Sequence, residues 1–328
     1  MTLTLEARPV SWPMSEPFVI ARGAVSTADG IIVTLTDGEG RTGRGEAYGV
    51  NYRGETPASM LAEIEAAAPA IRAGIDRHAL LGLLPKGGAR CAIDAALWDL
   101  EAKATGIPAW QRAGIAEPRA MVSAYTIGIG TPERMREKAA ARAGYPLLKV
   151  KVDAGNPLRR LRAVREGAPE ASIILDPNAS WTRAQLEGLL PDLMALGVVL
   201  IEQPLPPEAD ADLAGIARGI PICADESLHD ADDLARIAPL FDFVNIKLDK
   251  TGGLTAGLAL ADAAEAAGLR LMVGCMIGSS LAMAPAAVLA QRCRFVDLDG
   301  PLLQSEDVDH PIAYHQGRMD FPSRELWG

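Results

Sequence analysis

Two hydrophobic periodicities divide the chain near residue 120. Before that point, Ile31-Ile-Val-Thr-Leu-Thr36 and Gly43-Arg-Gly-Glu-Ala47 read as two strands folded about Asp37-Gly38-Glu39-Gly40, a hairpin with its turn residues in place. A helical repeat follows. Ile93, Ala96, Leu97 and Leu100 recur at helical spacing and predict a helix over Ala89 to Lys103, stopped by Gly106 and Pro108. After residue 120 short apolar runs alternate with helical segments. The predicted strands cover 122–128, 147–152, 173–178, 199–204, 221–226, 243–248, 269–275 and 294–300. The helix from Pro132 to Ala143 is typical of the connections, with Thr131 as N-cap and Pro132 at the first helical position. Alternating strands and helices predict a parallel sheet, and eight such strands predict closure into a (β/α) barrel behind an α+β region.

Charged residues stand where these apolar runs end. In Leu147-Leu-Lys149-Val-Lys151 the two lysines share one face of the strand, because side chains alternate with period two. In a closed barrel both ammonium groups point inward and need partners. Asp176, Glu202 and Asp225 end the next three runs and supply them. Three carboxylates converging on one mouth suit a hard cation with oxygen ligands, so one Mg²⁺ per subunit is expected there. Lys247 ends the sixth run, across the barrel axis from Lys151. Two amines facing one carbon allow a proton to leave one face and return to the other, which is racemisation or epimerisation next to a carboxylate, through an enediolate. Lys149, one layer deeper, is expected to support the substrate carboxylate or the acids. Asp249 and Lys250 are expected to pair with each other.

Composition removes other classes. The 328 residues are 49% hydrophobic and 23% charged, enough for a large core and about two domains. A net charge of −10 with no basic run argues against nucleic-acid binding. No apolar run approaches the roughly 20 residues of a membrane span, and no apolar leader follows a basic start, so the expected location is cytoplasmic. Cys91, Cys223, Cys275 and Cys293 show no Cys-x-x-Cys, and the four histidines no metal-ligand spacing. Gly38, Gly40 and Gly43 match the dinucleotide fingerprint, but the sequence after Gly43 reads as a returning strand rather than a helix.

The segments Lys149-Val-Lys151, Asp176-Pro-Asn178, Glu202-Gln-Pro204, Ala224-Asp225-Glu226-Ser227 and Asn245-Ile-Lys247-Leu-Asp-Lys-Thr-Gly-Gly253, with the helix around Asp94 to Asp99, resemble the enolase superfamily over nearly the whole chain. The resemblance implies a (β/α)₇β barrel over 119–304 and an α+β capping domain over 1–118, completed by 305–328 from the C-terminal tail. It assigns Asp176, Glu202 and Asp225 to Mg²⁺ and Lys151 with Lys247 to acid/base work. Arg294-Phe-Val-Asp297-Leu-Asp299 is similar to the Asp-x-Asp element of dipeptide epimerases in the muconate lactonizing subgroup, especially those acting on L-Ala-D/L-Glu. There the two acids bind the free α-ammonium of the dipeptide, as paired carboxylates would. Arg22 or Arg53 would hold the glutamate side chain. The same resemblance implies a homo-oligomer, a dipeptide as the small-molecule partner, and peptidoglycan recycling as the setting. An o-succinylbenzoate synthase or muconate cycloisomerase reaction is the alternative, disfavoured by the acidic pair.

Overall fold

The computed structural model describes every residue except Met1 and Arg22. Thr4–Ile20, Gly23–Thr36 and Thr42–Ala47 form an antiparallel sheet in that order. The expected hairpin is present, and the Asp37 carboxylate closes its turn by accepting the Glu39 and Arg41 amides at 2.9 and 3.0 Å. Thr4–Ile20 is an addition to the sequence reading. Glu6, Arg8, Pro9 and Pro13 break its apolar alternation, and it tolerates both prolines because it is an edge strand.

The helix Gly88–Thr105 lies across this sheet with Ala89 to Leu100 buried throughout. Gly43 and Gly45 make the approach possible: a Cβ on either would stand 2.1 Å from the carbonyl oxygen of Ala96 or Ala92. The glycine run therefore serves close packing of helix on strand, and no helix starts at Gly43.

The end of the chain returns to the same helix. Trp327 Nε1 donates to Ala95 O at 3.0 Å, Gly328 N–H to Asp99 Oδ1 at 2.8 Å, and Arg44 Nη2 to Leu326 O at 2.8 Å. Before that, Tyr314–His315 pairs with Arg318–Met319, which in turn pairs with Met121–Val122 beside the barrel. Trp327 is 3% exposed. Truncating a buried tryptophan costs about 3–5 kcal/mol, so Trp327→Ala is expected to lower the urea midpoint of unfolding accordingly. An unchanged midpoint would make the tail peripheral.

The second sheet holds eight parallel strands in sequential order: Tyr125–Ile127, Leu147–Lys151, Ser172–Asp176, Val198–Glu202, Ile222–Ala224, Phe243–Lys247, Arg270–Gly274 and Phe295–Asp297. A bridge from Ser123 to Val296, with the Ala124 N–H donating to Val296 O at 2.8 Å, brings the two edges together. Long helices such as Arg183–Ala195 and Leu254–Ala266 cover the outside. The fourth crossover is only a 3-10 stretch, Pro207–Leu213, and the fifth ends in the short helix Leu234–Ile237.

Several strands stop sooner than their apolar runs suggest. Pro177 and Pro204 follow two of the acids, and Asn178, Ala179 and Gln203 adopt left-handed backbone with φ of 48°, 60° and 36°. Asp225 sits just past Ile222–Ala224. Asp299 lies two residues past Phe295–Asp297 and precedes the short helix Gly300–Leu303, so the two acids do not share a strand face.

The barrel interior is layered by the period-two rule. Ala124, Leu147, Ile174, Leu200, Cys223, Phe243, Met272 and Phe295, one from each strand line, pack as an apolar floor. Two residues further along each line come Thr126, Lys149, Asp176, Glu202, Asp225, Asn245, Gly274 and Asp297. The glycine in that ring leaves room for its neighbour, since a Cβ there would stand 2.7 Å from Asn245 Oδ1.

Candidate active site

Lys149 is the hub of the polar ring. It is 2% exposed, and its Nζ lies 2.8 Å from Asp297 Oδ2, 2.8 Å from Glu202 Oε2 and 3.2 Å from Asp176 Oδ2. Burial works against its charge, but Asp297, Glu202 and Asp176 outweigh it and hold the pKa well above the usual lysine range. Lys149 is thus a fixed cation. Asn245 Nδ2 donates to Glu202 Oε1 at 2.9 Å and completes that acid's shell from the sixth strand.

One layer higher stand the two other lysines. Lys151 Nζ donates to Asp176 Oδ2 at 2.6 Å, and Lys247 Nζ to Asp225 Oδ2 at 2.7 Å. Lys151 is the last residue of the second strand and Lys247 the last of the sixth, half-way round an eight-strand ring. Asp176 is drawn down to about 2, because the charges of Lys151 and Lys149 outweigh the effect of its burial. Against the same opposing burial, Lys247 and Lys250 hold Asp225 well below the carboxylate range, and Asp225 in turn raises Lys247.

Lys250 belongs to this site, which the sequence pairing with Asp249 did not anticipate. Its Nζ donates to Asp225 Oδ1 at 2.6 Å, while Asp249 faces away and accepts backbone amides of Tyr48 and Gly49. The short helix Leu248–Thr251 turns the two neighbours in different directions. Lys149, Lys151, Lys247 and Lys250 therefore face Asp176, Glu202, Asp225 and Asp297, a charge-balanced set closed from solvent below by the apolar floor.

Above it opens a cavity of about 350 Å³ lined by Lys149, Lys151, Lys247, Asn178, Asp297 and Asp299. Phe18, Ile20, Val25 and Ile277 form an apolar wall on the side of the capping sheet. Asp299 Oδ2 accepts the Thr126 N–H at 2.6 Å, and Thr126 Oγ1 reaches Asp297 Oδ1 at 3.4 Å. Burial, then the neighbouring Asp297 charge, pushes the Asp299 carboxyl up to about 7. The arginines that could have neutralised the acidic pair are engaged elsewhere: Arg292 pairs with Asp262 and Glu265, and Arg294 stacks on Phe295.

The acids fit a divalent cation by their chemistry. Glu202 is pushed up to about 7 by burial and then by the charges of Asp176 and Asp225, although Lys149 Nζ lies 2.8 Å from its Oε2. Three inward carboxylates that repel one another are relieved by a hard cation. Among the described residues no three such side chains are already gathered into a closed cage.

Of the two arginines expected to hold a substrate side chain, Arg22 lies outside the described residues. Arg53 is exposed at the end of the 3-10 turn Asn51–Arg53, whereas Tyr48, Asn51 and Tyr52 line the cavity. The described lining residues include no arginine. Cys275 lines the cavity as a half-buried thiol whose pKa burial raises, and all four cysteines are free. Among the described residues, no helix is long and apolar enough to cross a membrane.

Comparison with known proteins places this geometry. Residues 2–114 match the mandelate racemase / muconate lactonizing enzyme N-terminal domain, and residues 134–325 the enolase C-terminal domain-like family. The L-Ala-D/L-Glu epimerase of Escherichia coli is 41% identical over 318 residues, covering 96% of this chain and 99% of that one. An N-acetyl-D-glutamate racemase from Pseudoalteromonas is 45% identical over 251 residues, 76% and 79% of the two chains. Among solved structures, an enolase family member from Agrobacterium tumefaciens with homology to dipeptide epimerases, bound to sodium and L-Ala-L-Glu, superposes with a TM-score of 0.96 at 44% identity, covering 99% of this chain and all of that one. A dipeptide epimerase from Methylococcus capsulatus, complexed with Mg and L-Arg-D-Lys, gives 0.92 at 31% identity, covering 100% and 99% of the chains. With models matched across both regions, the chain belongs to the enolase superfamily, in its mandelate racemase / muconate lactonizing enzyme group.

Proposed function

We propose that the protein is a Mg²⁺-dependent dipeptide epimerase that inverts the α-carbon of the C-terminal residue, with L-Ala-L-Glu and L-Ala-D-Glu as its pair. The observation that carries the reading is that Lys151 and Lys247 reach one cavity from opposite strands, beside an acid, Asp299, that no cation pairs with among the described residues. The identity to the Escherichia coli epimerase and the L-Ala-L-Glu bound in the Agrobacterium relative support the choice of dipeptide. Peptidoglycan recycling is the proposed setting.

Asp176, Glu202 and Asp225 would hold the Mg²⁺. When bound, the ion offsets the negative charge that gathers on the substrate carboxylate as the α-proton leaves. Lys149 holds Asp176 and Glu202 inward by its charge. Of Lys151 and Lys247, one amine takes the α-proton and the other, as ammonium, returns one to the opposite face. Asp225 holds Lys247 in its charged form, so the strength of that contact sets how readily Lys247 serves as acid or base. The apolar floor and the wall from the capping sheet exclude water from the carbon between them. Asp299, with Asp297, takes the α-ammonium.

The pH dependence follows from Asp299. Ammonium capture needs the carboxylate charged, and its pKa lies at about 7, above the ordinary carboxylate range. As an acid with a raised pKa, it favours the fold when neutral and costs stability increasingly as pH climbs toward 7. Substrate capture changes in the opposite sense, so kcat/KM for L-Ala-L-Glu is expected to rise as pH increases through 7. Asp299→Asn should flatten that limb and lower kcat/KM above it by about tenfold to a hundredfold, the value of a hydrogen bond to a charged group. A wild-type profile that is flat, or a variant profile with the limb intact, would remove Asp299 from ammonium binding.

A second reading has support in the 45% identity to the N-acetyl-D-glutamate racemase and in Asp297, whose carboxylate is already engaged by Lys149. An N-acylated amino acid has no ammonium to bind. Incubation with Mg²⁺ and a panel of dipeptides, N-acetylglutamate and N-succinylamino acids, read by NMR for inversion, separates the two. Inversion of L-Ala-Glu supports the first reading, and inversion of N-acylated substrates alone overturns it.

A further inference from the structure

Lys247, Asp249 and Lys250 leave the sixth barrel strand in one short segment, yet only the two lysines face the acids. Lys247 and Lys250 hold the two oxygens of Asp225. Asp249 Oδ1 instead accepts the Tyr48 N–H at 2.9 Å and the Gly49 N–H at 2.7 Å. Asp249 is 8% exposed, and no cation pairs with it among the described residues. A buried carboxylate without a counter-ion is expensive unless N–H donors satisfy it, so these two bonds account for its place.

The turn that it grips is shaped for anions. Gly49 has φ +81°, a left-handed conformation, and the following amide, Val50 N–H, donates to Glu55 Oε2 at 2.5 Å. Three consecutive N–H groups thus point at two carboxylates, a backbone nest closed from the barrel by Asp249 and from the loop's own far end by Glu55. Glu55 also receives Gly88 N–H at 3.2 Å, tying the loop to the start of the long helix. A Cβ at Gly49 would stand 2.9 Å from Met60 Sδ, so the turn has little freedom to shift. Tyr48, Asn51 and Tyr52, on this loop, line the cavity that Lys151 and Lys247 face.

We infer that Asp249 is a positioning residue: it pins the Tyr48–Arg53 loop of the capping region to the barrel segment that carries Lys247, fixing the roof over the substrate in register with the base below it. Asp249 acts through the loop and touches no reacting atom. The kinetic part rests on the proposed function, while the tie itself can be read without substrate.

The test uses the full chain with Asp249→Ala and Asp249→Asn. Hydrogen exchange is followed at the Tyr48 and Gly49 amides, and kinetics are measured with Mg²⁺ and L-Ala-L-Glu. For alanine, both amides should exchange at least about tenfold faster, and KM should rise about tenfold with kcat within about threefold, since a charge-assisted anchor has been lost. Asparagine keeps an oxygen that accepts both bonds, so both readouts should return to within about threefold of wild type. Unchanged amide exchange in the alanine variant, a fall in kcat at constant KM, or an asparagine variant as impaired as alanine would each overturn the inference. The last would point to the charge beside Lys247 instead. Should Asp249→Ala not fold, Gly49→Ala strains the same turn from the loop side and carries the same expectations. A wild-type protein that turns over no dipeptide would overturn the functional reading, and the amide exchange would still decide the tie.

Discussion

Lys247→Ala is expected to abolish epimerisation, lowering kcat by at least about a thousandfold, the upper range of what one positioned acid/base group contributes. Lys151→Ala should do the same, although the two lysines have different surroundings. Lys247 is held by Asp225, which also carries Lys250, whereas Lys151 shares Asp176 with Lys149. Each variant retains one amine on one side of the barrel. Each should therefore still exchange the α-hydrogen of a single epimer with solvent, and the two variants should favour opposite epimers. Chiral analysis and NMR of L-Ala-L-Glu and L-Ala-D-Glu incubations read both effects. Full two-way turnover by either variant would contradict the assignment of both bases. Lys250→Ala provides a contrast: it removes a partner of Asp225, so its effect should appear chiefly in the Mg²⁺ concentration required.

Removal of the metal is expected to have an effect of similar size. Dialysis against EDTA should abolish turnover, and Mg²⁺ should restore it, because offsetting charge at the substrate carboxylate is worth several kcal/mol. Glu202 is the acid on which this is best examined. It is fully buried, and its pKa is pushed up to about 7 by burial and by Asp176 and Asp225. Glu202→Gln removes a charge from the repelling trio and should make the metal-free protein more stable while weakening Mg²⁺ binding by at least about a hundredfold. Calorimetric titration of Mg²⁺ and thermal unfolding in EDTA measure the two sides of that trade. If Glu202→Gln binds Mg²⁺ as the wild type does, the carboxylate trio is not the metal site.

Much of this arrangement was legible because β-structure repeats every two residues. Leu147, Lys149 and Lys151 must share a face, so two lysines inside a barrel follow from the sequence once the alternation of strands and helices is recognised. The acids were legible for the same reason, each closing an apolar run. What escaped depends on geometry beyond a single element. Thr126 and Asn245 read as ordinary strand residues until neighbouring strands bring them to Asp299 and Glu202. Lys250 and Asp249 look like an ion pair in sequence, but one helical turn sends them to the acids and to the capping loop. Asp299 left its strand because the strand ends at Asp297. The first capping strand was hidden by Pro9 and Pro13, which an edge position accepts. Gly43, the third glycine of the fingerprint that the returning strand argued against, forms with Gly45 the surface on which a helix lies.

The most direct measurement of the central claim is the fate of the α-hydrogen when the wild-type protein converts L-Ala-L-Glu in D₂O with Mg²⁺. Two bases on opposite strands predict that L-Ala-D-Glu carries deuterium at the glutamate α-carbon from the first turnovers, while the remaining L-Ala-L-Glu is still largely protonated. A D-epimer that retains the original hydrogen, or an absence of any conversion, would contradict it.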